Sequence, residues 1–162
     1  MIDIHAHILW DVDDGPKNMN ETMQLLEQAV NEGITQIIAT SHCFHPQYHV
    51  DYETINNQLQ LLQNQLMKNN IPLTLHTGHE VRLSDNIIPL YKAKQIHTLA
   101  NSNYILLELP SHTVPYYSIN IIRELLTEGL VPIIVHPERN KAIAERPILL
   151  ERLIREGAMA QI

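Results

Sequence analysis

The chain has 162 residues, of which 44% are hydrophobic and 18% charged, enough apolar material for one globular domain with one buried core. Eleven Lys and Arg stand against eighteen Asp and Glu, a formal charge of -7, and such a surface repels nucleic acid phosphates and anionic lipid alike. No apolar run approaches the ~18 residues of a membrane span and Met1-Ile2-Asp3-Ile4-His5 is no signal peptide, so the chain reads as cytoplasmic, with neither nucleic acid nor membrane insertion expected.

Short runs rich in Ile, Leu and Val alternate with longer stretches of helical period, the pattern of an α/β protein with a parallel sheet. The first strand is Met1 to Ile4, running into His5 and His7. Residues 20–32 place Met23, Leu26 and Val30 on one helical stripe, with Gly33 ending the helix. A second strand over 35–39 precedes a helix over 52–68, whose stripe is Ile55, Leu59, Leu62 and Leu66. Pro72 opens a third strand over 73–76 that continues towards Glu80. Short helical turns over 87–94 lead to a fourth strand over 104–109, then to a helix over 117–128 stopped by Gly129. The fifth strand is 131–135, the last helix is 147–156, and 158–162 opens a sixth strand. No linker or repeat divides the sequence, which predicts a single domain over 1–162, either a (β/α)-type barrel or a doubly wound sheet.

Both architectures gather functional side chains at the carboxyl ends of their strands, and the ten histidines can be read against that rule. His5 and His7 follow strand one, His42 strand two, His79 and Glu80 strand three; Glu108 ends strand four and His136 follows strand five. In a parallel sheet these ends lie side by side, which predicts one metal-holding pocket. Residues two apart on an extended strand point the same way, so His5 and His7 can chelate one ion. Imidazole with carboxylate and no thiolate suits Mn2+, Fe2+ or catalytic Zn2+, and so many donors favour more than one ion. A single cysteine, Cys43, excludes an internal disulfide, and the sixth residue after it is His49 rather than the Arg of a cysteine-dependent phosphatase. In the Asp-rich turn after strand one, Asp11 reads as a turn residue and Asp14 as a partner that orients the first ligand pair or a water. Arg139, just after His136, is a candidate bidentate grip for a phosphate, its plain alternative being a salt bridge to a nearby Glu. His45, His49, His97 and His112 read as rim or surface residues, and His76 as a strand residue short of the mouth.

Five segments in order, Ile4-His5-Ala6-His7 to Asp13-Asp14-Gly15-Pro16, Ala39-Thr40-Ser41-His42, Gly78-His79-Glu80-Val81-Arg82, Leu106-Leu107-Glu108-Leu109-Pro110 and Ile134-Val135-His136-Pro137-Glu138-Arg139-Asn140, resemble the motifs of the PHP (polymerase and histidinol phosphatase) superfamily. The nearest resemblance is to the manganese-dependent protein tyrosine phosphatases of bacterial capsule and exopolysaccharide loci. The resemblance implies a distorted (β/α) barrel with a trinuclear centre whose metal ligands are His5, His7, His42, Glu80, Glu108 and His136, with Glu80 the first choice as bridge. It implies a phosphate-binding role for Arg139 and a polar role beside the centre for Asp14. Its implied substrate is phosphotyrosine on the tail of a membrane tyrosine autokinase that controls polysaccharide synthesis. The family's further Ser-Asp-x-His element is absent after His136, so the sequence reads as a member lacking its C-terminal portion, with about six barrel strands and no closure. Unclosed edges are able to pair with a second copy of the chain. Two alternatives stand beside this reading: another PHP phosphoesterase acting on a small substrate such as histidinol phosphate, or an inactive remnant with partial metal binding.

Overall fold

Alternating apolar residues in the strand runs and three-to-four spacing in the intervening segments produce an α/β architecture in which every strand pairing is parallel. The computed structural model describes residues 1–162. In chain order it contains β1 (Ile2–Ala6), α1 (Met19–Asn31), β2 (Gln36–Ala39), β3 (His42–Cys43), α2 (Tyr52–Lys68), β4 (Thr74–Thr77), β5 (Glu80–Arg82), α3 (Ile87–Lys92), β6 (Tyr104–Glu108), α4 (Ser118–Thr127), β7 (Val131–Val135), α5 (Lys141–Glu145), α6 (Ile148–Arg155) and β8 (Met159–Gln161). No helix is long and apolar enough to cross a membrane.

The strands form two open parallel sheets, ordered β1-β2-β4 and β3-β5-β6-β7-β8. They are joined through two broken strands. Sequence pattern predicts a second strand over 35–39 and a third over 73–76 continuing towards Glu80, yet each is followed by a two-residue break and a further short strand, Thr40-Ser41 between β2 and β3 and Gly78-His79 between β4 and β5. At the breaks the backbone finds other partners: Thr40 N–H donates to Ala6 O at 2.9 Å and Glu80 N–H to Ser41 O at 3.1 Å. Gly78 is required by proximity, because a Cβ there would lie 2.8 Å from Ile38 Cγ2 and 3.0 Å from Thr40 Cγ2. Gly78→Ala is therefore expected to lower stability by about 1–3 kcal/mol, the usual cost of overpacking. Urea unfolding checks it, and an unchanged midpoint would contradict the close packing.

Each helix is placed by caps and by its apolar stripe. Asn18 and Asp51 cap α1 and α2 by accepting from Glu21 N–H and Thr54 N–H. The faces of α1 and α2 bury Leu26, Ile55, Leu59, Leu62 and Leu66 with Ile37 and Leu73. On the other sheet, Ile105, Leu107 and Ile134 pack with Ile121, Ile122 and Leu125 of α4 and Leu153 of α6. The alternate residues, Leu106, Ile133 and Val135, join Ile38 and Leu99 in a smaller cluster on the opposite face. That inner cluster has consequences for chemistry. Glu108 is two residues beyond Leu106, shares its face and ends its strand, so it emerges at the carboxyl end on the inner side.

Candidate metal centre

The carboxyl ends of β1, β6 and β7 and the first residues of β3 and β5 border one cleft of about 930 Å3. Its hub is Glu80, first residue of β5, whose side chain is 1% exposed. Glu80 Oε2 lies 2.9 Å from His7 Nε2, 3.2 Å from His5 Nε2 and 3.4 Å from His42 Nδ1. Its other oxygen, Oε1, lies 2.7 Å from His136 Nε2. Four imidazoles from three separate chain segments thus converge on one carboxylate. Burial opposes its charge, but hydrogen bonding to His136, His5 and His7 outweighs that and holds the carboxyl far below the usual range.

Local backbone features aim these rings. One extra residue of β1 intervenes in its register with β2 between Asp3 and Ala6, a bulge that re-aims neighbouring side chains, and His5 and His7 both enter the cleft. His136 has φ +32° and ψ 53°, a left-handed conformation that is costly for a side chain next to proline and typical of functional sites. Glu108 is fixed from the other side: Arg82 Nη1 lies 2.9 Å from its Oε1, the pair being neighbours in the β5–β6 register.

Asp13 and Asp14 hold His7 in different ways. Asp14 Oδ1 is 2.8 Å from His7 Nδ1 and 3.6 Å from His42 Nε2, while half of its side chain remains in solvent. The Asp13 carboxylate is fully buried, 3.3 Å from His7 Nδ1, and accepts from the N–H groups of His42 and Gly15. Burial pulls the His7 pKa down, but hydrogen bonding to Asp13 and Glu80 reverses this and raises it to about 10.

Three overlapping groups bring their ligand atoms within 4.8 Å of one another: His5, His7 and Glu80; His7, Asp14 and His42; and His42, Glu80 and Glu108. Two buried atoms, His42 Nδ1 and Glu108 Oε2, make no hydrogen bond although only 3.8 Å separates them. A buried polar atom left unpaired costs about 1–3 kcal/mol, and a cation between a nitrogen lone pair and a carboxylate oxygen satisfies both. The donor set therefore fits a divalent metal cluster, with Glu80 able to bridge through its two oxygens.

Arg139 lies at the mouth, in a 3-10 turn over Pro137–Arg139, with its side chain 76% exposed and Glu138 3.9 Å away. Neighbouring Asn140 is buried. It caps α5 and donates to Pro110 O and Thr113 O, tying the turn to the segment after β6.

Four residues differ from the pattern of strand-end donors and rim histidines. His79 is fully buried and turned away from the cleft, with Nε2 3.0 Å from Val50 O and Nδ1 accepting from His97 N–H. Burial, then the neighbouring His97, lowers its pKa to about 3. His97 is 3% exposed rather than superficial, its ring stacked on Tyr52. Asp13 and Arg82 are the supports that strand-end reasoning passes over. The signal for Asp13 is its Asp-x-Gly turn with Gly15, and for Arg82 the two-residue spacing from Glu80 along one strand. Cys43 sits next to His42 but is fully buried, and burial raises its thiol pKa to about 12. We expect it to resist a thiol reagent such as dithionitrobenzoate in the native state and to react once denatured; rapid native labelling would contradict its seclusion.

The family model described as "Capsular polysaccharide synthesis, CpsB/CapC" matches residues 1–162. The chain is 47% identical over 162 residues to CapC of Staphylococcus aureus, provisionally named a tyrosine-protein phosphatase, and 36% identical over 162 residues to the tyrosine-protein phosphatase YwqE of Bacillus subtilis. All of this chain is covered in both matches, and it spans 64% of the length of each of these relatives. Among solved structures it is similar to a chain from the crystal structures of YwqE from Bacillus subtilis and CpsB from Streptococcus pneumoniae, described as metal-dependent tyrosine phosphatases. That likeness has a TM-score of 0.96 at 36% identity, over 100% of this chain and 66% of the other.

Proposed function

The chain belongs to the CpsB/CapC family of capsular polysaccharide synthesis proteins, and from that premise we propose that it is a metal-dependent protein-tyrosine phosphatase domain, spanning 1–162. The observation that carries this reading is the convergence of four imidazoles on the buried Glu80 carboxylate lining one polar cleft. The proposed ligands are His5, His7, His42, Glu80, Glu108 and His136, and their nitrogen and oxygen donors without thiolate favour Mn2+, with Fe2+ and Zn2+ suiting the same set. The strand order, with helices against one face and a small apolar cluster on the other, supports a distorted (β/α) barrel arrangement of the PHP kind.

Divalent cations bound by these residues would supply Lewis acidity, lowering the pKa of water towards neutrality and neutralising phosphoryl oxygens. The protein's own groups do the rest. Asp13 and Asp14 fix the His7 ring through Nδ1 and so leave Nε2 directed at the centre. Arg82 holds one Glu108 oxygen, so that the other faces His42. Arg139, exposed and carrying a planar fork, grips two oxygens of an entering phosphoryl group. Buried Cys43 cannot act as a nucleophile, so direct hydrolysis rather than a thiophosphate intermediate is the proposed course. The proposed substrate is phosphotyrosine on the tail of a membrane tyrosine autokinase, in keeping with the names of the relatives and the capsule-synthesis description of the family.

Turnover tests this. With Mn2+ the protein should hydrolyse a phosphotyrosine peptide in preference to histidinol phosphate, lose the activity in EDTA and regain it on Mn2+ addition. Faster hydrolysis of histidinol phosphate would transfer the reading to a small-molecule phosphoesterase, and Mn2+ binding without turnover of either would leave only a binding role.

A further inference from the structure

Next to His42, one of the proposed metal ligands, the segment after β3 carries two further rings, His45 and Tyr48, that the proposed metal chemistry does not use. The rings of His42, His45 and Tyr48 are nearly parallel: His42 and Tyr48 are inclined by 8° with centroids 5.6 Å apart, His45 and Tyr48 by 18° at 5.6 Å, and His42 and His45 by 26° at 4.6 Å. These are offset stacks, in which no ring fully covers another. All three rings border the same cleft as Arg139 and Glu108, and His45 and Tyr48 are only half-buried.

The loop that presents them is held at several points. Its ends are closed by Val50 N–H donating to His42 O at 2.9 Å. Inside it, Phe44 takes φ +58° and its N–H donates to His49 Nδ1, while Gln47 N–H donates to His45 Nδ1. From behind, His79 Nε2 lies 3.0 Å from Val50 O, and the His79 ring is itself fixed by His97 N–H. A surface loop so tied presents its rings without a large ordering cost when a ligand arrives.

Resting on the phosphomonoester site proposed above, we infer that Tyr48, backed by His45, is the aryl-recognition wall of that site and selects aromatic over alkyl phosphomonoesters. A phosphoryl group at Arg139 and the Glu80 cluster leaves its ester substituent to lie along the cleft wall. Tyr48 offers an aromatic surface there, and a phenyl ring stacks on it where an alkyl chain gains less. An aromatic pair of this kind contributes about 2- to 12-fold in affinity beyond simple burial.

Calorimetric titration of the Mn2+-loaded protein with two non-hydrolysable probes, phenylphosphonate and methylphosphonate, decides the matter without needing turnover. The wild type is expected to bind phenylphosphonate about 3- to 10-fold more tightly. Tyr48→Ala should bring the two affinities within twofold by weakening phenylphosphonate alone, and Tyr48→Phe should retain the preference. Should circular dichroism show Tyr48→Ala unfolded, Tyr48→Leu, which keeps bulk without a ring, is expected to behave as the alanine variant was to. A preference that survives removal of the ring, or an equal loss for both probes, overturns the assignment. Equal binding of the two probes by the wild type overturns it while leaving the phosphate site intact. Failure of both to bind overturns the phosphate site and the aryl wall together.

Discussion

Glu80→Gln is expected to abolish metal-dependent stabilisation. In the wild type, a divalent ion that binds only the folded state stabilises by mass action, about 2.7 kcal/mol at a hundredfold excess over Kd. For a chain of this size that is a rise in Tm of about 5–10 °C. Glu80 meets three of its four histidines through one oxygen and the fourth through the other, so it is the one residue whose charge every part of the cluster shares. Glutamine preserves the shape, but it offers one neutral oxygen and a nitrogen that cannot ligate. The Mn2+-induced rise should fall below about 2 °C, with far-UV circular dichroism unchanged and no Mn2+ retained after desalting. Full retention of the thermal shift would show that the hub is an ion-pair network and not a ligand set. Affinity should fall by more than the 10- to 100-fold typical of altering a group that merely orients a ligand. The contrast is available in the same protein: Asp14→Asn, touching His7 from a half-exposed position, should lower affinity without eliminating the shift.

The site was legible in outline because parallel sheets obey a simple rule. His42, Glu80, Glu108 and His136 each fall at the end of an apolar run, and the rule places such ends together whatever the details of the sheet. The side-chain period of an extended strand also points His5 and His7 to one side, and both border the cleft, although a bulge in β1 contributes to their aim and no local sequence signal marks it. What pattern could not resolve was direction at the breaks. His79 and Glu80 are adjacent, and a strand continuing through them must turn them to opposite faces. Which one enters the cleft depends on the interruption at Gly78-His79, set by the approach of Ile38 and Thr40, a tertiary fact. The same limit applies to Asp13 and Asp14, where only the backbone N–H groups of His42 and Gly15 decide that Asp13 is the buried one. His97 lay beyond reach for a different reason: an isolated polar residue in a loop reads as superficial until its packing partner, here Tyr52 from α2, is known. Long helices are more legible than strand ends, since α2 carries both a cap at Asp51 and a four-residue apolar stripe, while the five-residue α5 is too short to display a period.

Arg139→Ala is expected to separate phosphate recognition from metal retention and from folding. The side chain is mostly in solvent and its ion-pair neighbour, Glu138, is 3.9 Å away, an arrangement worth little to stability, so the Tm should move by less than about 2 °C. Its contact with the hub is a backbone one, Arg139 N–H donating to His136 O at 2.9 Å, which alanine keeps, so the Mn2+-induced thermal shift should persist. Phosphate binding is another matter. Hydrogen bonds to a charged group contribute about 1.5–3 kcal/mol, so the affinity of the Mn2+-loaded protein for phenylphosphonate should fall by about 10- to 100-fold. Arg139→Lys keeps the charge and loses the planar fork, and should fall between the wild type and alanine. Because the loss is at the phosphoryl end, methylphosphonate should weaken by the same factor, whereas Tyr48→Ala is expected to change only the aryl probe; the two effects should add, as they do for substitutions without shared partners. An Arg139→Ala protein that binds both phosphonates as tightly as the wild type would assign the exposed guanidinium to its neighbour Glu138 and leave recognition of the phosphoryl group to the metal-holding cluster alone.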